Sequence, residues 1–198
     1  MLRLHDFTGS GNVYKARLML GLLDAPYEII QKYIMTGEAR TPEFLVMNPN
    51  GHIPLLELEP GDHLAESDTI LYYLAEGTTY WSEGRLDRTR VLQWMFFGQY
   101  NHEPNVAVAR FIVHFLSPDH PRQADFPTLQ EKTHPALQVM EDHLVGHDWT
   151  AAGCHTIADL VLYAYAHVAG DGGIALGDYK AINVWMVRIL NLPGFTPM

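Results

Sequence analysis

Apolar positions along the first third of the chain recur with two different periods. Leu2 and Leu4 alternate with Arg3 and His5 as in a short strand, and Phe7 closes it. After "TGSGN" the interval lengthens. Val13, Ala16 and Leu20 fall at helical spacing, and Leu18, Met19, Leu22 and Leu23 widen the stripe. Asp24-Ala25-Pro26 stops that helix, and "YEII" reads as a second strand. Thr41 predicts an N-cap with Pro42 at the first helical position, and Asn48-Pro49 predicts the end of that short helix. "HIPLLEL" and "HLAE" predict a hairpin joined by Glu59 to Asp62, "EPGD", where proline before glycine suits a type II turn. "SDTILYYLAEG" predicts a helix ending at Gly77.

The resulting order, β-α-β-α-β-β-α, is a thioredoxin-like layout. Periodicity lapses over "TTYWSEGRL", Thr78 to Leu86, which reads as a linker. Every periodic segment beyond it is helical. The first, from Asp87, is interrupted at Pro104, after which "NVAVARFIVHFL" continues or restarts it. "TLQEKTHPALQVMEDHL" carries Pro135 as a possible kink. "TIADLVLYAYAHVA" opens with Thr156 and Asp159 at capping-box spacing, and "KAINVWMVRILN" comes last. The expected organisation is therefore an α/β domain over 1–77, a linker over 78–86 and an all-helical domain over 87–198.

Composition narrows the function. Of 198 residues, 47% are hydrophobic and 18% charged, an ordinary globular balance. A net charge of −10 argues against a nucleic-acid partner, since no basic stripe is present to displace counterions from phosphates. The longest apolar runs are too short to span a bilayer, and the N-terminus lacks the apolar core of a signal peptide. A cytoplasmic protein is expected. The single cysteine, Cys154, excludes an intrachain disulfide and reads as a buried or idle thiol. Eleven histidines suggest metal, but no ligand set has suitable spacing, and no metal is expected.

Three motifs carry chemistry. "GSGNVY" resembles the start of a dinucleotide fingerprint, but Tyr14 stands where the third glycine is required. Ser10 reads instead as a helix N-cap, a place that also stabilises an anion such as a thiolate. In "NPNGHIPLLE", Pro54 forces Ile53 extended. In a thioredoxin-like fold such a proline is often cis, leaving the Ile53 backbone to pair with a peptide-like ligand. The alternative is a tight entry into the hairpin. In "LAESDTI", Glu66 and Ser67 stand where a strand becomes a helix. They form a plain cap, or they hold the ammonium and carboxylate of an amino-acid group. An anionic sulfur, a peptide backbone and an amino-acid head group together describe a tripeptide thiol.

With these pieces in place, the chain resembles the cytosolic glutathione S-transferases over nearly its whole length. "SGNVYKARL", "NPNGHIP", "ESDTILYYLAE", the helical second half and "TIADLVLYAYAHV" carry the resemblance. Phe7 lacks the hydroxyl of the tyrosine classes, so the chain looks like a serine-type member, theta-, zeta- or beta-like. The resemblance implies that Ser10 hydrogen-bonds the glutathione sulfur. Ile53 pairs with the cysteinyl backbone beside cis-Pro54, and Glu66 and Ser67 hold the γ-glutamyl group. His52, where lysine or glutamine is usual, donates to the glycine carboxylate, with Arg40 a second candidate. Gln99, Tyr100 and His102, on or near a helix facing the expected cleft, line the pocket for an electrophilic second substrate or else serve core packing or a subunit contact. Conjugation of glutathione, as co-substrate, to that electrophile by a homodimer is the implied activity. A glutathione-dependent isomerase or dehalogenase, or a binding protein without catalysis, are the alternatives.

Overall fold

The computed structural model describes residues 1–58 and 61–198. The turn expected at Glu59–Asp62 falls partly on Glu59 and Pro60, outside the described residues. The described residues form two compact units, Met1–Thr78 with Pro193–Met198, and Thr79–Leu192.

The first unit contains strands β1 (Leu2–Asp6), β2 (Tyr27–Gln31), β3 (Leu55–Glu57) and β4 (His63–Ala65), and helices α1 (Gly11–Leu22), α2 (Pro42–Met47) and α3 (Ser67–Ala75). The strands form one mixed sheet in the order β2-β1-β3-β4. β1 runs parallel to β2 and antiparallel to β3, and β3 runs antiparallel to β4. Leu4 and Leu56 of the sheet pack with Val13, Ala16 and Leu20 of α1 and Ile70 of α3. Leu55 points into a second cluster with Phe44 of α2 and Ala39. Successive residues of β3 thus serve opposite faces, the period-two behaviour of a strand buried on both sides. Ile53 packs against both clusters. The caps form as the sequence predicts: Ser10 Oγ accepts from Val13 N–H at 3.3 Å, and Thr41 Oγ1 accepts from Phe44 N–H at 3.3 Å.

The second unit contains α4 (Arg85–Phe97), α5 (Glu103–Phe115), α6 (Phe126–Leu144), α7 (Ile157–Ala166) and α8 (Lys180–Leu190). Tyr80 and Trp81 are buried, and Tyr80 C=O accepts from Ile157 N–H at 3.1 Å, so this stretch is folded against α7. Every residue of α7 is buried, as its all-round apolar sequence requires. Pro104 does not simply break the helical path. Gly98–His102 widen into a π-turn in which Glu103 N–H reaches back to Gly98 C=O, and Pro104 falls in the first turn of α5. The wider turn accommodates a ring that would otherwise press on the carbonyl four residues earlier. α6 continues through Pro135 as one helix. The Thr156–Asp159 capping box is present. Among the described residues, no helix is long and apolar enough to cross a membrane.

Candidate functional site

The sheet register brings the three sequence motifs to one end of the sheet in the first unit. Leu55 pairs with His5 on one side and Ala65 on the other. β1 ends at Asp6, β3 begins at Leu55 and β4 ends at Ala65, so the loop to Ser10, the Ile53–Pro54 turn and the start of α3 all leave from the same end of the sheet. Ser67 Oγ also meets Asn12 Oδ1 of α1 at 3.0 Å.

Each piece is locally prepared. Gly9 has φ +90°, in the region glycine enters without steric penalty, and Ser10 N–H closes a turn on Phe7 C=O at 2.9 Å. Because Ser10 Oγ accepts from Val13 N–H, its own proton can be donated outward at the positive end of α1. The Ile53–Pro54 peptide bond is cis. Glu66 has φ 65° and ψ 114°, a conformation a glutamate adopts only when its surroundings impose it. Its side chain is exposed. Behind the loop, Asp6 is buried and faces Arg17 at 3.7 Å. Burial pushes its carboxyl above the ordinary range, and the guanidinium partly offsets this. His5 is buried beside it, and desolvation holds its imidazole below the usual value despite a 2.6 Å hydrogen bond to Glu57.

Ser67 differs from the simplest expectation. Lys15 Nζ donates to Ser67 Oγ at 3.2 Å and to Asp68 Oδ1 at 2.8 Å, while Ser67 Oγ donates to Asn12 Oδ1 at 3.0 Å. The hydroxyl is engaged within the protein, and the donor left to Ser67 is its backbone N–H in the first turn of α3, which has no intrahelical acceptor. Lys15 and Asp68 are not among the residues that the sequence motifs single out. The available signal was Lys15 itself, a lysine in helical register with Leu18, Met19 and Leu22 on an apolar stripe.

Arg40 and His52 lie together, with Arg40 Nη2 3.3 Å from His52 Nε2. A guanidinium only donates, so in this contact His52 Nε2 is the acceptor. The permanent charge of the pair is that of Arg40, and His52 orients it. Asn48 Nδ2 donates to His52 C=O at 2.8 Å and holds the turn.

In the second unit, Gln99 and Tyr100 are exposed on the π-turn, but His102 is fully buried and does not face solvent. Tyr100 borders a cleft of about 280 Å³ with Phe97, Asn105, Lys132 and Val139; Gln99 and His102 are not part of its wall. Cys154 is exposed rather than buried, and desolvation with the nearby Asp159 and Asp87 charges pushes its thiol up, as befits an idle group.

Known proteins converge on one family. Residues 4–78 match the glutathione S-transferase N-terminal domain and residues 105–193 the C-terminal domain. The chain is 45% identical to a possible glutathione S-transferase from Rhodopseudomonas palustris of solved structure. That alignment covers 100% of this chain and 89% of the other, with a TM-score of 0.95. It is 28% identical over 204 residues to the disulfide-bond oxidoreductase YfcG of Escherichia coli (strain K12), covering 95% of this chain and 90% of the relative. It is also 25% identical over 194 residues to elongation factor 1-gamma of Artemia salina, covering 96% of this chain but 44% of the relative.

Proposed function

The chain belongs to the glutathione S-transferase family, and from that premise we propose that it is a serine-type glutathione transferase whose first unit binds glutathione. The observation that carries this reading is the convergence of the segments bearing Ser10, the Ile53 backbone and Glu66–Ser67 at one end of the sheet's strands. Ser10 donates its hydroxyl proton to the glutathione thiolate. Ile53 pairs with the cysteinyl backbone. Glu66 accepts from the γ-glutamyl ammonium while the Ser67 N–H receives its carboxylate, and Arg40, oriented by His52, faces the glycine carboxylate. The thiolate attacks an electrophilic carbon, a C–S bond forms, and the leaving group departs with the electron pair of its broken bond. Stabilising and positioning the thiolate is the protein's contribution.

A second reading, glutathione-dependent reduction of disulfides, is favoured by the similarity to the E. coli oxidoreductase. Two glutathione thiols then reduce one disulfide and leave as glutathione disulfide, with no protein cysteine needed. Product analysis separates the readings, since conjugation yields a thioether and exchange yields glutathione disulfide.

Calorimetric titration with glutathione tests the site. Arg40→Ala is expected to weaken binding about three- to tenfold, the scale of an exposed charged hydrogen bond. His52→Ala is expected to weaken it by about twofold, because it removes only the orienting acceptor. Equal losses, or a larger loss at His52, would reverse the assigned roles. Phe96 and Tyr100 are 70% and 83% exposed on neighbouring turns, and we propose that the chain pairs as a homodimer. Light scattering should report roughly twice the 22.4 kDa of one chain; a monomer at micromolar concentration refutes this.

A further inference from the structure

Lys15 is entirely withdrawn from solvent, in the middle of a helix face otherwise made of apolar side chains. An ammonium in such a place is strongly unfavourable unless paired, so its partners define its use. Its Nζ reaches across from α1 to the first turn of α3, to Asp68 Oδ1 at 2.8 Å and Ser67 Oγ at 3.2 Å. Since an ammonium has no acceptor, Ser67 Oγ accepts from it and passes its own proton to Asn12 Oδ1 at 3.0 Å, also on α1. Two residues of α1 thereby grip the two residues that follow Glu66.

Glu66 sits at φ 65°, a conformation that relaxes unless the chain on either side is held. On one side β4 pairs with β3 through Ala65 and Leu55. On the other, Ser67 and Asp68 are held by Lys15 and Asn12. We propose that Lys15 is the positioning residue for the amino-acid end of the ligand. It does not touch the ligand, but locks the first turn of α3 so that the Glu66 carboxylate and the Ser67 N–H stand where an α-ammonium and α-carboxylate are recognised together. It thereby selects thiols that carry a free amino-acid head group over those that lack one. This inference rests on the glutathione reading above.

The test compares glutathione with cysteinylglycine, which has the same thiol and C-terminal carboxylate but no γ-glutamyl group. Lys15→Met keeps the volume and removes the donors. KM for glutathione is expected to rise about tenfold with kcat within about twofold, the scale of one charged hydrogen bond, while KM for cysteinylglycine stays put. A general loosening of the unit would instead impair both thiols alike, and that result overturns the proposal, as does an unchanged preference for glutathione. Asp68→Asn weakens the same grip from the α3 side and guards against a Lys15 variant that fails to fold. It is expected to lose the same preference selectively, and full retention of the preference overturns the inference. A wild-type protein that does not distinguish the two thiols refutes the glutathione reading itself. A wild type that does distinguish them, beside variants that still do, refutes only the role of Lys15.

Discussion

Replacing Ser10 with alanine is expected to slow conjugation at neutral pH roughly ten- to a hundredfold while leaving glutathione binding nearly intact. A free thiol titrates at about 8.5, so little thiolate exists at neutral pH without help. One hydrogen bond to a charged acceptor contributes about 1.5–3 kcal/mol, enough to lower that value by about one to two units. Ser10 is placed to supply it, because its oxygen is occupied by Val13 N–H and its proton is not. The first turn of α1 adds its positive end in both wild type and mutant, so the mutant keeps some stabilisation. The sign of the pH dependence follows. Losing the donor raises the thiol's titration point, so the deficit is largest at low pH and closes as solvent base ionises the thiol at high pH. Turnover of a generic aryl halide against pH, with glutathione affinity measured in parallel, checks this. Full activity of Ser10→Ala at neutral pH would reduce Ser10 to a helix cap and move attention to Thr8 and Asn12.

Ser10, Ile53–Pro54 and Glu66–Ser67 were readable because each sits at an element boundary, where local chemistry is specific. A hydroxyl before a helix, a proline before a strand and an acid-serine pair between strand and helix have few alternative uses. Their convergence was not local. It depends on β3 pairing with both β1 and β4 in one register, which no single segment encodes. Lys15 follows the same rule. Its place on the apolar stripe of α1 signals burial, but only its partners on α3, more than fifty residues away, explain how that burial is satisfied. The motif offers His52 first and Arg40 second, and their 3.3 Å contact is a tertiary one that neither segment encodes alone. His102 shows the opposite error. A polar residue beside two exposed ones on a helix suggests a pocket wall, but in the widened turn Gln99 and Tyr100 face out and His102 faces in. Gly98 is the physical clue to that turn, because a Cβ there would lie 2.9 Å from Val161 Cγ1 and the backbone must approach α7 closely.

The largest stability loss is expected at Asp159, in the helical unit. Its carboxylate is fully buried and accepts from Thr150 N–H at 3.0 Å, Thr156 N–H at 2.8 Å and Trp185 Nε1 at 2.9 Å, with both threonine hydroxyls within 3.3 Å. One side chain therefore ties the start of α7 to the preceding loop and to α8. Asp159→Ala strands three buried N–H donors, each costing about 1–3 kcal/mol, while relieving part of the desolvation of the charge. The net loss is expected to be about 3–5 kcal/mol, a large part of a typical domain's stability, and to lower the melting temperature by roughly 10–20 °C. Asp159→Asn keeps the shape but turns one acceptor into a donor facing N–H groups, so it should recover only part of the loss. The pH dependence has a definite sign. Burial holds the Asp159 carboxyl above its ordinary value, with the hydrogen bonds opposing, so the folded unit takes up this proton more readily than the unfolded chain. That contribution to stability is present below the ordinary carboxylate value and lost as pH rises through the raised one. The advantage of wild type over the non-titrating Asp159→Asn should therefore be larger in mild acid than at pH ~7. Thermal unfolding of both proteins across that range checks it. A difference that stays constant with pH, or an Asp159→Ala protein that melts with wild type, would show that the capping network does not govern the stability of this unit.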